Sequence, residues 1–333
     1  MGIKDVAERA GVSIATVSNV VNRPEVVSEA TRSRVRSAIE ELGYIRDESA
    51  RQLRAGRSRI LALLVLDLGN PFFVDITRGA EEAAHAHGLN VINCNSGQRA
   101  EVERSYLAML AEQRVRGVLL SPVDASGASL AAFRRSGTPY VLVDRTVPKR
   151  QASSVAVDDV AGGALAMRHL LETGHTGVAF VTGPAILSQC RDREAGVRSA
   201  LAEAGAGARL SVVEADHLDV ASGRDAGARL LGISPRPTAV FCANDLLALG
   251  VLQAMVGAGV RVPADMAIVG YDDNEFAAAA AVPLTSVRQP ARRIGRTAAE
   301  LLIAETGGDP PEEHQAVVFT PELVVRRSSQ IRR

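Results

Sequence analysis

Residues 3–54 read IKDVAERAGVSIATVSNVVNRPEVVSEATRSRVRSAIEELGYIRDESARQLR, and the spacing of the apolar residues in this stretch decides how the chain begins. Ile3, Val6, Ala7 and Ala10 recur at i, i+3, i+4 and i+7, the face of a first helix. Gly11 permits a tight turn, and Ser13 is placed to cap a second helix over residues 14–21. Val17, Val20 and Val21 then face a small core, which leaves Ile14, Ala15, Ser18 and Asn19 pointing outward. A third helix is predicted over 28–42, with Val35, Ile39 and Leu42 inward, Arg32, Arg34 and Arg36 available for phosphates, and Gly43 as its stop. This is the pattern of a helix-turn-helix, whose second helix presents side chains to base edges in the major groove. On that reading the contact set is Ser13, Ile14, Ala15, Thr16, Ser18, Asn19 and Asn22, with Arg32 on the backbone. Asn19 suits an adenine, and the small or apolar pair Ile14 and Ala15 suits a thymine methyl. On spacing alone, a three-helix bundle that touches nothing reads as well.

From Arg59 onward the pattern changes to apolar strand followed by amphipathic helix, repeated. ILALLVL (60–66), LNVINCN (89–95), GVLLS (117–121) and PYVLV (139–143) read as buried parallel strands. A second series follows in GVAFV (177–181), RLSVVE (209–214), TAVFCA (238–243) and MAIVGY (266–271). Two successive runs of βα units predict two doubly wound parallel-sheet α/β lobes behind an all-α headpiece. Ligands are expected at the carboxyl ends of the strands, in the cleft between the lobes.

Composition agrees with that division. The chain has 333 residues, too many for one small domain. Its 38 basic and 38 acidic residues cancel, yet residues 1–60 hold 11 Lys or Arg against 8 Asp or Glu. The excess is modest, and a dimer doubles it; phosphate contacts of this kind make binding salt dependent. Cys94, Cys190 and Cys242 are widely spaced with no Cys-x-x-Cys pair, which suits reduced thiols in a cytosolic protein. No signal peptide or long apolar run is read, so the expected location is cytoplasmic and nucleoid-associated, with no membrane partner. His85 and His87 stand two apart on a predicted helix and face different ways, so no metal site and no cofactor are expected.

The runs DVAERAGVS, TVSNVVN, VSEATR and LGY closely resemble the headpiece of the LacI/GalR (lactose-repressor) family. Later segments (NPFF, DR, TGH, RDREAG, ANDLLALG, VPADMAIVGYDD, SVRQP) match that family's core in the same order, so the resemblance covers the whole chain. It implies a type I periplasmic-binding-protein-like core and a homodimeric bacterial transcription regulator that binds a pseudopalindromic operator and answers to a small metabolite. The implied domains are a headpiece over 1–45, a hinge helix and linker over 46–59, and a core over 60–333. Within the core, one lobe takes about 60–158 and 288–318 and the other about 159–287 and 319–333, with crossings near Asp158, Val287 and Phe319. The segment RDESARQLR (46–54) matches the family's hinge helix, which implies that Leu53, between Arg51 and Arg54, wedges into the minor groove and kinks it. Where family members commonly carry Pro-Asn, this chain has Arg46 and Asp47.

The resemblance also sharpens the cleft. Asn70, Phe72, Phe73, Asp144, Arg145, Arg193, Asn244, Asp272 and Gln289 are similar to the pocket of ribose-binding proteins and ribose-responsive repressors. His217 stands where that pocket usually has another aromatic ring. The residue types suit a sugar: rings pack on the C–H face, while carboxylates, amides and guanidinium meet vicinal hydroxyls. Asp144, Asn244 and Asp272 also read as ordinary helix caps, and Phe72 and Phe73 as core. The function implied is repression of a sugar catabolic operon, for ribose or a related pentose, with release from the operator when sugar binds. The alternative is the same regulator with a purine or nucleoside as corepressor. No G-x-S-x-G, G-x-x-x-x-G-K-[ST] or G-x-G-x-x-G motif is found where it would count, so an enzyme is not expected. The tail ELVVRRSSQIRR lacks leucine heptads, which favours a dimer over a tetramer.

Overall fold

Gly11 and Gly43 adopt left-handed φ values of 63° and 57°, conformations that cost glycine little, and they end the first and last of three helices: α1 (Ile3–Ala10), α2 (Ile14–Asn22) and α3 (Glu29–Leu42). The computed structural model describes residues 2–44, 58–123, 128–148, 151–205, 207–307 and 313–330. A short 3₁₀ turn, Pro24–Val26, links α2 to α3. Val6, Ala7, Ala10, Val17, Val20, Val35 and Ala38 form the core, with Ile39 and Leu42 packed against it. Val21 is not in that core. It is half-buried, because one residue turns the helix by about 100° and Val17 and Val20 already occupy the inner face. The hinge segment, with Arg51, Leu53 and Arg54, lies outside the described residues.

The chain divides into two compact units, residues 1–58 and 59–333. The second contains twelve strands among the described residues: β1 (Ile60–Val65), β2 (Asn90–Asn95), β3 (Gly117–Leu120), β4 (Tyr140–Val143), β5 (Ser153–Val157), β6 (Gly177–Thr182), β7 (Arg209–Glu214), β8 (Ala239–Cys242), β9 (Ala267–Asp272), β10 (Thr285–Arg288), β11 (Ala316–Phe319) and β12 (Glu322–Val324). They form two six-stranded sheets, in the orders β11-β5-β4-β3-β1-β2 and β12-β10-β9-β8-β6-β7. Every pairing is parallel except that of β12 with β10. Central strands such as β3, β4 and β8 are apolar and buried throughout, because helices cover both faces of such sheets. The chain crosses between the sheets after β5, after β10 and after β11.

The helices of this unit are α4 (Pro71–Ala86), α5 (Ala100–Glu112), α6 (Ala128–Arg135), α7 (Asp159–Glu172), α8 (Ser188–Ala204), α9 (Val220–Leu231), α10 (Asp245–Gly257), α11 (Glu275–Ala279) and α12 (Ala291–Thr306). Three pairs pack closely, α4 with α12, α7 with α8 and α9 with α10, and each pair crosses at reciprocal glycines. A Cβ on Gly79 would stand 1.9 Å from the Arg292 carbonyl oxygen, and one on Gly295 1.9 Å from that of Ile76. Gly163 and Gly196 meet the Arg193 and Val160 carbonyls at 2.1 and 2.0 Å in the same sense, and Gly223 and Gly250 those of Leu247 and Val220. Real side chains do not fit at such distances, so these backbones touch only because glycine is there. The α7–α8 contact brings the head of one helix against the middle of the other.

Candidate functional site

The ends of β1, β4, β8 and β9 border a narrow cleft between the two sheets. Asn70, Phe72, Phe73, Gln98 and Asp144 line it from the first lobe; Gln189, Arg193, Leu218, Asn244 and Asp272 line it from the second. Asn70 occupies the N-cap of α4, where its Oδ1 accepts the Phe72 N–H at 3.0 Å. Its Nδ2 donates across the cleft to Asp272 Oδ2 at 3.3 Å. Phe72 and Phe73 stand edge to face, ring centroids 5.1 Å apart, and both are buried.

Arg193 is held on three sides. Its Nε donates to Asp159 Oδ1 at 2.8 Å, its Nη1 donates to the Ala243 carbonyl at 2.5 Å, and its Cζ lies 3.7 Å from the centroid of the Tyr271 ring. Burial works against its charge, but the carboxylates of Asp159, Asp272 and Asp144 more than offset this and raise its pKa. The glycine at 162 makes room for Tyr271, since a Cβ there would lie 2.2 Å from the phenol oxygen.

The two cleft carboxyls sit on strained backbone. Asp144 follows β4 with φ 60°, and Asp272 ends β9 with φ 109°, followed by Asp273 at 55°; such conformations persist for non-glycine residues only where the surroundings impose them. Gln289 Nε2 donates to Asp272 Oδ1 at 2.8 Å. Burial pushes the Asp272 carboxyl up to about 6 against the opposing pull of Arg193, Gln289 and Asn70. Burial, and then the neighbouring charge of Asp159, drive Asp144 well above the usual carboxylate range; its buried Oδ1 has no hydrogen-bond partner among the described residues. Asp273 turns the other way, to Arg288 at 2.7 Å and Arg326 at 2.5 Å.

Two residues named from the sequence, His217 and Arg145, stand differently. His217 is exposed and does not line the cleft; in the turn after β7, Ala215 and Leu218 point inward, and Leu218 supplies the apolar wall. Arg145 is half-buried beside the cleft rather than in its lining, and its charge acts on Asp192. Asn244 lines the cleft but also caps α10, accepting the Leu247 N–H at 2.9 Å and donating to the Leu218 carbonyl at 3.0 Å. Asp159, Tyr271, Gln98 and Gln189 were not read from the sequence. Asp159 follows β5, a strand that begins with two serines and was not predicted, and Tyr271 lies inside an apolar strand, where it reads as core.

On the headpiece, Ser13 Oγ accepts the Thr16 N–H at 3.1 Å and meets Thr16 Oγ1 at 2.9 Å. Ile14 is 43 % exposed, and Ala15 and Asn19 are exposed beside it, with Ser18 half-buried. Asn22 Nδ2 donates to the Ser18 carbonyl at 2.8 Å. Arg32, expected on phosphate, instead donates to the Pro24 carbonyl at 3.0 Å and pairs with Glu29, because the 3₁₀ turn lies directly against it. Arg34 and Arg36 are exposed.

Among the described residues no helix is long and apolar enough to cross a membrane, and no group of three His, Cys, Asp or Glu could hold a metal ion. Residues 2–47 match the family model described as bacterial regulatory proteins, lacI family, and residues 167–329 match that of a periplasmic binding protein-like domain. The chain is 36 % identical to the HTH-type transcriptional repressor PurR of Photobacterium profundum, over 98 % of both chains. A solved complex of the transcriptional regulator CelR with cellobiose is 35 % identical, covering 98 % of this chain and 99 % of the other at a TM-score of 0.74. The lac repressor dimer bound to operator and an anti-inducer is 29 % identical, covering 99 % of each chain at a TM-score of 0.84.

Proposed function

The chain belongs to the lacI family of bacterial regulatory proteins, as a DNA-binding transcriptional repressor and not an enzyme, and from that premise we propose that its cleft takes a sugar of pentose or similar size whose binding releases the operator. The observation that carries this reading is the pairing of two buried carboxyls, Asp144 and Asp272, with Arg193 beside the Phe72–Phe73 edge. Vicinal hydroxyls donate to carboxyl oxygens and accept from guanidinium, and the ring's C–H face packs on the phenyl groups. Gln289 and Asn70 orient Asp272, while Asp159 and Tyr271 orient Arg193. Lobe movement then changes the spacing of two headpieces in a homodimer, which must present their second helices to half-sites about 34 Å apart. Ile14, Ala15, Ser18 and Asn19 read the bases of a pseudopalindromic operator, and Leu53 with Arg51 and Arg54 engages the minor groove.

A second reading, a purine or nucleoside acting as corepressor, is favoured by the full-length relatives named PurR. The two differ in sign. The test is operator binding by the full chain with D-ribose, other pentoses, hexoses, cellobiose, hypoxanthine and guanine, preceded by a thermal-shift screen of the same set. A sugar that raises the melting temperature and weakens operator binding supports the first reading. A purine that tightens operator binding, with sugars silent, replaces it by the second.

A further inference from the structure

Four elements bring three carboxyls against one guanidinium: Asp144 after β4, Asp159 at the head of α7, Asp272 at the end of β9, and Arg193 on α8, each no more than 7 % exposed. Arg193 gives its Nε to Asp159 at 2.8 Å. Among the described residues, the hydrogen-bond donors to the Asp272 carboxyl are neutral, the amides of Gln289 and Asn70, and Asp144 Oδ1 has no hydrogen-bond partner. The other titratable groups facing this cluster do not relieve it. Cys190 and Asp192 on α8 and Asp245 on α10 add no positive charge; Tyr271 is neutral, and Arg145 acts on Asp192 at the rim. Asp273 is turned away to Arg288 and Arg326. Two further buried carboxyls beside a guanidinium already bonded to Asp159 cannot both ionise cheaply.

We propose that the ligand-free protein retains one proton on the Asp144–Asp272 pair, and that a hydroxylated ligand displaces it to solvent. This rests on the sugar reading above. The carboxyl O–H bond breaks, the proton goes to buffer, and the resulting carboxylate accepts a hydrogen bond from a ligand hydroxyl that keeps its own proton. No electrons are exchanged. The upward displacement of both carboxyls, Asp272 to about 6, agrees with this arrangement. Sugar affinity therefore rises with pH through the window around 6, and the repressor is harder to release in acid.

Two measurements on the full chain test it. The first needs no ligand: carbon-13 NMR of the labelled aspartates, titrated from pH 4 to 8. One carboxyl titrating near 6, displaced in Asp144→Asn, is expected; every aspartate titrating below 5 would overturn the retained proton. The second is calorimetry with D-ribose at pH 6 and pH 8 in phosphate and in imidazole. Release of about half a proton at pH 6, the midpoint, and none at pH 8 is expected, with the Kd falling by up to about tenfold per pH unit below the midpoint and a flat profile in Asp144→Asn. Ribose binding with equal Kd from pH 5 to 8 and no dependence on buffer overturns the displacement. An absence of ribose heat at every pH overturns the displacement as stated together with the ribose reading, while the NMR arm still decides the proton separately.

Discussion

Asn70 and Asp272 are 202 residues apart in the chain and meet across the cleft, Nδ2 to Oδ2, at 3.3 Å. The other end of the same amide caps α4, so one side chain both starts a helix in the first lobe and ties it to the second. Asn70→Asp separates these roles. The carboxylate still accepts the Phe72 N–H, but it faces Asp272 with a like charge where a donor stood. The expected result is a loss of about tenfold or more in effector affinity, worth at least about 1.4 kcal/mol, with a smaller change in melting temperature. Asn70→Ala should lose the cap as well, about 1 kcal/mol more in stability. Ligand titration beside thermal denaturation separates the two effects, and native affinity in Asn70→Asp would remove the interlobe bond from the mechanism.

The Asp159–Arg193 pair depends on a residue that touches neither ligand nor charge. A methyl on Gly163 would stand 2.1 Å from the Arg193 carbonyl, so Gly163→Ala must push α7 from α8 and lengthen the 2.8 Å ion pair. Overpacking of this kind costs about 1–3 kcal/mol, and the effector response should weaken with it. Gly257→Ala is the comparison, since nothing lies within 4 Å of its Cβ position; chemical denaturation should show a change within about 0.5 kcal/mol there. Equal stability of the two variants would contradict the close crossing.

These two cases show what the amino-acid order makes visible and what it does not. The long apolar runs of β1, β4, β8 and β9 announce a parallel sheet by themselves, because strands buried on both faces need no alternation. The strands β10, β11 and β12 have only three or four residues each, below the length at which any period is readable, yet two of the three crossings between sheets fall among them. In the cleft, Asn70, Phe72, Phe73, Asp144 and Asp272 follow strand ends or open a helix, and the resemblance named them together with Arg193. Asp159 and Tyr271 could not be named so, since their significance is their distance from Arg193. That distance is set by glycines in α7 and α8 whose spacing alone resembles ordinary helix composition.

Arg32 and Arg36 should respond oppositely to removal. Arg32 is bound to the Pro24 carbonyl and to Glu29, so Arg32→Ala should cost the headpiece about 1 kcal/mol and leave the salt dependence of operator binding nearly unchanged. Arg36 is exposed, and Arg36→Ala should leave stability alone while lowering the slope of log K against log salt by about 1. Operator titrations at several salt concentrations, with a melting curve for each variant, check both. If Arg32→Ala also reduced the slope by about 1, the side chain would have to leave Pro24 when DNA binds.

The buried carboxyls give the ligand-free protein an acid preference. Asp272 is raised to about 6, and Asp144 and Asp245 are raised by burial in the same direction, so between the ordinary carboxylate range and these higher values the folded chain binds more protons than the unfolded one. Stability then falls as pH rises: the Asp272 contribution is complete below about pH 4 and is lost as pH rises through about 6, and those of Asp144 and Asp245 act in the same direction. A shift of about two units on Asp272 alone corresponds to roughly 2–3 kcal/mol. Denaturation midpoints measured without ligand should be higher at pH 5 than at pH 7.5, and Asp272→Asn should flatten the difference while leaving the residual trend of Asp144 and Asp245. Saturating effector should flatten it too, because a ligand that displaces the cleft proton removes the same titration from the folded state. A native protein equally stable at both pH values, with and without effector, would mean that these carboxyls ionise in place.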